Sequence, residues 1–168
     1  MHSAAAADGK PTASNGVDSE AMSPKIKILV VDDQMAVALM MVFLLTRAGC
    51  EAQAALSAEK ALRLAQTEAF DLITLDVGMP DLDGFLLFQK LRQIPHLKEI
   101  PVVFVSGNST IENQQHALEL GAADFIEKPF DTQDFLSRIL SHTNAKLCPS
   151  DVPDENPDTD TQSLCNTP

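Results

Sequence analysis

Between residues 26 and 142 the chain switches repeatedly between two hydrophobic periodicities, and few folds accept that pattern. Short, nearly continuous apolar runs rich in β-branched residues, IKILVV (26–31), LITL (72–75) and PVVFVS (101–106), read as strands buried on both faces. EAQAAL (51–56) alternates weakly and reads as an edge strand, and DFIEK (124–128) as a short last one. Segments with helical spacing follow each strand, at about 35–48, 58–67, 84–93, 111–120 and 132–142. Gly49 and Gly121 each follow a helix, Pro95 and Pro101 flank the approach to the fourth strand, and Ser57, Asp83 and Asp131 stand where N-caps belong. Five strands alternating with five helices need crossover connections. The fold class is therefore α/β, a doubly wound parallel sheet with helices on both faces.

Composition sets the limits of this unit. Residues 1–24 are mostly Ala, Ser, Asp, Gly and Pro without periodicity, and are expected to be a disordered extension or partly a tag, with Met22 an alternative start. From Asn144 to Pro168 the chain is acidic and Pro-rich, as a solvated tail or interdomain linker would be. The folded unit is expected to span 25–143, and 45% hydrophobic residues suffice for its core. With 24 acidic and 12 basic residues the net charge is −12, a field that repels phosphate backbones and disfavours direct nucleic-acid binding. No apolar run reaches the roughly 18 residues of a membrane span. Nor does the N-terminus have the basic and apolar regions of a signal peptide. Cys50, Cys148 and Cys165 form no motif, which fits a reducing cytoplasm.

In a doubly wound sheet, ligands bind beyond the carboxyl ends of the strands. Asp32 and Asp33 follow ILVV, Asp76 follows LITL, Ser106 closes VVFVS, and Lys128 follows DFIE, so all five are expected at strand ends. Asp81 and Asp83 form DLDG, which resembles the signature of a haloacid-dehalogenase-type phosphatase, but Pro80 separates them from the strand. They read as part of a turn and a helix start. Three crowded carboxylates repel one another and burial raises their pKa values unless a cation intervenes. A hard divalent ion with oxygen ligands is the natural solution, and Mg²⁺ is favoured because it shares its shell with phosphate oxygens.

LVVDD (29–33), LDVGMPDLDG (75–84), VFVSG (103–107) and GAADFIEKPF (121–130) together resemble the receiver domain of two-component response regulators, chemotaxis-type regulators among them. That resemblance implies a flavodoxin-like (βα)5 fold with strand order 2-1-3-4-5. It implies that Asp76 accepts a phosphoryl group, that Asp33 and Asp76 bind Mg²⁺ directly, and that Asp32 does so largely through water. The backbone carbonyl of Gly78 would be a further ligand. Lys128 and Ser106 would each meet a phosphoryl oxygen, Gly107 would keep the approach open, and Ser106 with Phe125 would form the switch. A cis Lys128–Pro129 bond belongs to the same pattern. The implied protein is a signalling switch rather than a conventional enzyme, although it would catalyse its own phosphotransfer and dephosphorylation. Its partners would be a histidine kinase or histidine phosphotransfer protein and a downstream protein or missing output domain. A degenerate receiver that acts only as a binding module is the other alternative to the phosphatase.

Several positions depart from the family pattern. Phe125 stands where tyrosine is frequent, and its ring is expected to exchange solvent contact for burial on phosphorylation. Gly78 and Asn108 flank the route of attacking water, which leaves the phosphoryl lifetime open. In QMAVALMMVFLLTRAG, Val37, Met40, Met41, Leu44 and Ala48 are expected to face the core. Leu39, Val42 and Phe43 are then left for a wider burial, a kinase or phosphotransfer helix pair, or a second copy in a homodimer.

Overall fold

A computed structural model describes residues 25–143. The expectations for 1–24 and 144–168, with Cys148 and Cys165, lie outside the described residues. Five strands, β1 (Lys27–Val31), β2 (Glu51–Ala55), β3 (Leu72–Leu75), β4 (Val102–Ser106) and β5 (Asp124–Glu127), form one sheet ordered β2-β1-β3-β4-β5. All four pairings are parallel. The connections are α1 (Met35–Arg47), α2 (Ala58–Thr67), α3 (Gly84–Arg92) and α4 (Ile111–Glu119), and α5 (Thr132–Ser141) closes the unit. Elements begin and end within about two residues of the positions read from periodicity. A 3-10 turn, Pro95–Leu97, lies on the way to β4 where only the flanking prolines were noted.

Side chains alternate across the central strands, so each strand supplies two cores. Leu29, Val31, Ile73 and Leu75 pack under α2, α3 and α4, while Ile28, Val30, Leu72 and Val103 pack under α1 and α5. β2, as expected, is an edge strand, pairing only with β1. The caps agree with the sequence: Ser57 accepts from the Lys60 N–H, Asp83 from Phe85, and Asp131 from Gln133 and Asp134. Thr110, unremarked in the sequence, caps α4 through the Asn113 N–H. Gly49 (φ 89°) and Gly121 (φ 91°) supply the left-handed residues that end α1 and α4.

The α1 stripe is rotated from its expected position. Ala38, Met41 and Leu45 are its buried residues. Met40, expected in the core, is 44% exposed, and Val37, Leu44 and Ala48 are only partly covered. A helix with apolar residues on every side carries no periodic signal for its inward face. Leu39 and Phe43 are exposed as expected, whereas Val42 is half-buried.

Thr74 is fully buried, and its hydroxyl has no hydrogen-bond partner although Val30 and Val103 flank it in the sheet. An unsatisfied buried polar group costs about 1–3 kcal/mol. Thr74→Val keeps the shape and is expected to stabilise the protein by about 1 kcal/mol in urea unfolding followed by circular dichroism. A loss of stability would show that the hydroxyl is satisfied in solution.

Arg138 ties α5 to β5. Its Nε donates to Asp124 Oδ2 (2.8 Å), one Nη2 contact reaches Asp124 Oδ1 (2.5 Å), and another the Phe125 carbonyl (2.9 Å). Burial works against the Asp124 charge, but Arg138 outweighs it and holds the carboxyl below its ordinary range. A depressed carboxyl adds stability above its unfolded pKa, about 3.9, and loses it as pH falls through the lower folded value. The stability gap between wild type and Asp124→Asn should thus shrink as pH falls below about 4. A gap that stays constant into acid would exclude this ion pair as its source.

Candidate phosphoacceptor and metal site

The ends of β1, β3, β4 and β5 meet at one edge of the sheet, and parallel pairing aligns them. The Asp32 N–H donates to the Ala55 carbonyl and the Asp76 N–H to that of Val31, which extends the ladder into the site. The Lys128 N–H likewise donates to the Ser106 carbonyl (2.9 Å). The peptide bond Lys128–Pro129 is cis, as the resemblance to receivers implied. All five candidate side chains therefore arrive from strand ends.

Asp32, Asp33 and Asp76 each offer a carboxylate oxygen within 4.8 Å of the others. Lys128 Nζ bridges two of them, lying 2.7 Å from Asp76 Oδ2 and 2.5 Å from Asp32 Oδ2. Asp32 and Asp76 are buried, and Lys128 nearly so. One ammonium against three carboxylates leaves two negative charges in a largely water-excluded place. Burial, stronger here than the pull of Lys128, raises the Asp32 carboxyl above its ordinary value. Burial also disfavours charge at Asp76, but Lys128, the Gly78 N–H and the Ser106 hydroxyl outweigh it and hold this carboxyl below the usual range. Of the two carboxyls that Lys128 bridges, Asp76 is therefore the one whose charged form the surroundings favour, the form a nucleophile needs.

The oxygens are not equally free. Asp32 accepts from the Gln34 N–H (2.9 Å) and from Lys128, and Asp76 accepts from the Gly78 N–H (3.0 Å) and from Lys128. Asp33 Oδ1 is buried without any partner. An orphaned carboxylate oxygen beside two further carboxylates, with net charge −2 in the cluster, fits a hard divalent cation.

Ser106 is buried, and its hydroxyl accepts from the Asn108 N–H (3.2 Å). A Cβ added at Gly107 would meet nothing within 4 Å, and one at Gly78 only Asp76 Oδ1 at 3.9 Å, so the approach is open on both sides. Asp81 and Asp83 are elsewhere: Asp83 caps α3, and Asp81 Oδ2 accepts from the Ala58 N–H (2.7 Å) at the start of α2. That contact had no signal in the sequence. Phe125 corrects an expectation. It is only 9% exposed and stacks on Phe104 at 6.2 Å, so in this conformation its ring has little solvent contact to give up. Phe104 also packs on Phe85 and Phe88, forming an aromatic group that fills the space beside β4.

The response regulator receiver domain family matches residues 28–140. The chain belongs to that family. Among receiver-containing relatives, the response regulator PleD of Caulobacter vibrioides is 37% identical over 121 residues, covering 72% of this chain and 27% of that protein. The receiver fold is shared with the chemotaxis protein CheY4 of Vibrio cholerae (TM-score 0.68, 30% identity, 70% of this chain and 98% of that one). It is shared too with a response regulator protein from Burkholderia pseudomallei whose structure contains a phosphorylated aspartic acid and a calcium ion (TM-score 0.63, 25% identity, 68% of this chain and 66% of that one). The chain spans about half or less of the length of the curated relatives it matches. A receiver domain is the phosphorylation-dependent module of response regulators, and neither the phosphatase nor the bare binding module is favoured. No helix among the described residues is long and apolar enough to cross a membrane.

Proposed function

We propose that this receiver takes a phosphoryl group from the phosphohistidine of a histidine kinase or phosphotransfer protein onto Asp76, with Mg²⁺, and signals through protein contacts. The observation that carries the reading is the cluster of Asp32, Asp33 and Asp76 bridged by Lys128, with one Asp33 oxygen left unpaired. An Asp76 oxygen attacks phosphorus, the phosphorus–nitrogen bond breaks, and the electron pair leaves on the imidazole. Asp33, Asp76, the Gly78 carbonyl and, through water, Asp32 would hold Mg²⁺. When bound, the ion neutralises charge on the phosphoryl oxygens. Lys128, now spanning Asp32 and Asp76, turns one of its N–H groups to a phosphoryl oxygen, and Ser106 gives its hydroxyl to another. The same groups would catalyse the slow loss of the phosphoryl group, so the protein is a phosphoacceptor and not a conventional enzyme.

Cytoplasmic location and a downstream protein, or an output domain joined through residues 144–168, complete this reading. A docking face for the donor is assigned to α1, where Leu39 and Phe43 are exposed together with Met35, two residues after Asp33 in the chain. A homodimer through the same face is the competing use. The test is intact-protein mass spectrometry after incubation with acetyl phosphate: one phosphoryl group should appear with Mg²⁺ and none in excess chelator. Labelling that ignored the chelator would overturn the assignment.

Ser106 and Phe125 are proposed as the switch. The ring starts already buried, so the free energy comes from repacking against Phe104 and not from new burial. Phe125→Ala is expected to lose about 3 kcal/mol of stability yet still accept the phosphoryl group. Phe125→Leu supplies a better-folded comparison. Both should lack part of the NMR shifts that beryllofluoride induces along residues 108–130. Wild-type shifts in both variants would remove Phe125 from the switch.

A further inference from the structure

We infer that Asp81 is a positioning residue for the Mg²⁺ site, a reading that rests on the proposed receiver function and deepens it. The ligand assigned to Gly78 is a backbone carbonyl in the β3–α3 loop, and Gly78 has no side chain with which to anchor itself. Its surroundings are open, with Asp76 Oδ1 the nearest atom to a would-be Cβ at 3.9 Å. Something else must fix that peptide. Behind it, the Gly78 N–H is held by Asp76 Oδ1 (3.0 Å). Ahead of it, Met79 is buried, and then Asp81 Oδ2 accepts from the Ala58 N–H at 2.7 Å across 23 residues of sequence.

Ala58 is the first residue of α2, and its N–H has no acceptor inside the helix. Ser57 satisfies only the Lys60 N–H. Asp81 is thus a second, distant cap, and its carboxylate is favoured at the positive end of the helix. α2 is itself fixed by the buried Ala58, Ala61 and Ala65. The loop that carries the Gly78 carbonyl is therefore latched to a packed helix three residues beyond the ligand. Removing groups that orient metal ligands typically weakens metal binding about 10–100-fold.

The experiment is a Mg²⁺ titration of the full chain, followed by the amide NMR shifts of residues 76–84, with urea unfolding of each variant alongside. Asp81→Ala should bind Mg²⁺ about tenfold more weakly, at the low end of that range because the latch acts on one ligand. Asp81→Asn retains a carbonyl oxygen for the Ala58 N–H and should stay close to wild type. Ala58→Pro removes the donor at a helix position where proline is accepted, and should weaken Mg²⁺ binding as Asp81→Ala does. Combining the two should add nothing further. Unchanged Mg²⁺ affinity in both Asp81→Ala and Ala58→Pro, even with lowered stability, would overturn the inference and leave Asp81 a helix cap alone. A wild-type protein without Mg²⁺-dependent shifts would instead overturn the receiver-site reading beneath it.

Discussion

Asp76→Asn is expected to lose all phosphorylation by acetyl phosphate while remaining folded. The asparagine oxygen can still accept the Gly78 N–H that now lies 3.0 Å from Asp76 Oδ1, so the loop keeps its anchor. What disappears is the anionic nucleophile and one negative charge of the metal cluster. The amide carries no charge and attacks phosphorus poorly, and the proposed roles of the neighbouring Asp32 and Asp33 are those of metal ligands. Asp32 is held by a backbone N–H and Lys128 just as Asp76 is, but burial raises its carboxyl pKa where that of Asp76 is lowered. Asp83 and Asp81 are occupied at the starts of α3 and α2. Intact-protein mass spectrometry decides the matter, because one phosphoryl group per chain is a large signal against none. Undiminished labelling in Asp76→Asn would place the acceptor elsewhere.

Gly84→Ala should be among the most destabilising small substitutions in the domain, although it adds only a methyl group. A Cβ there would lie 2.2 Å from the Asp76 carbonyl oxygen, 2.7 Å from Val77 Cα and 2.9 Å from the Asp76 carbonyl carbon. All three are backbone atoms at the end of β3, so no side chain can swing away. Relief requires moving either α3 or the strand that presents the phosphoacceptor. Overpacking of this kind costs about 1–3 kcal/mol, and backbone contacts put Gly84→Ala near the upper end. Urea unfolding by circular dichroism measures it, since the chain has no tryptophan or tyrosine. Gly107→Ala is the control, because nothing lies within 4 Å of a Cβ at that position. A loss below about 0.5 kcal/mol in Gly84→Ala would mean that the β3–α3 junction relaxes easily.

Much of this protein was legible in its sequence. Side chains of a strand repeat every two residues and those of a helix every 3.6, so the alternation of periods exposed five strands and five helices directly. The site followed from the same reading: where an apolar run stops, a strand stops, and Asp32, Asp33, Asp76, Ser106 and Lys128 all stand at such stops. Strand order and individual roles came from the resemblance to receivers. Tertiary structure alone decided the rest, for identifiable reasons. The inward face of α1 is set by packing against the sheet, since a helix apolar all round has no period to reveal it. Phe125 is already buried because Phe104 lies opposite it in the adjacent strand, a register the local sequence does not encode. The Asp81 latch and the close approach at Gly84 depend on where α2 and α3 settle relative to β3. Local sequence states which groups reach a strand end. Only the packed layers state which carboxylate oxygen of the site is left without a partner, and among the described residues that is Asp33 Oδ1.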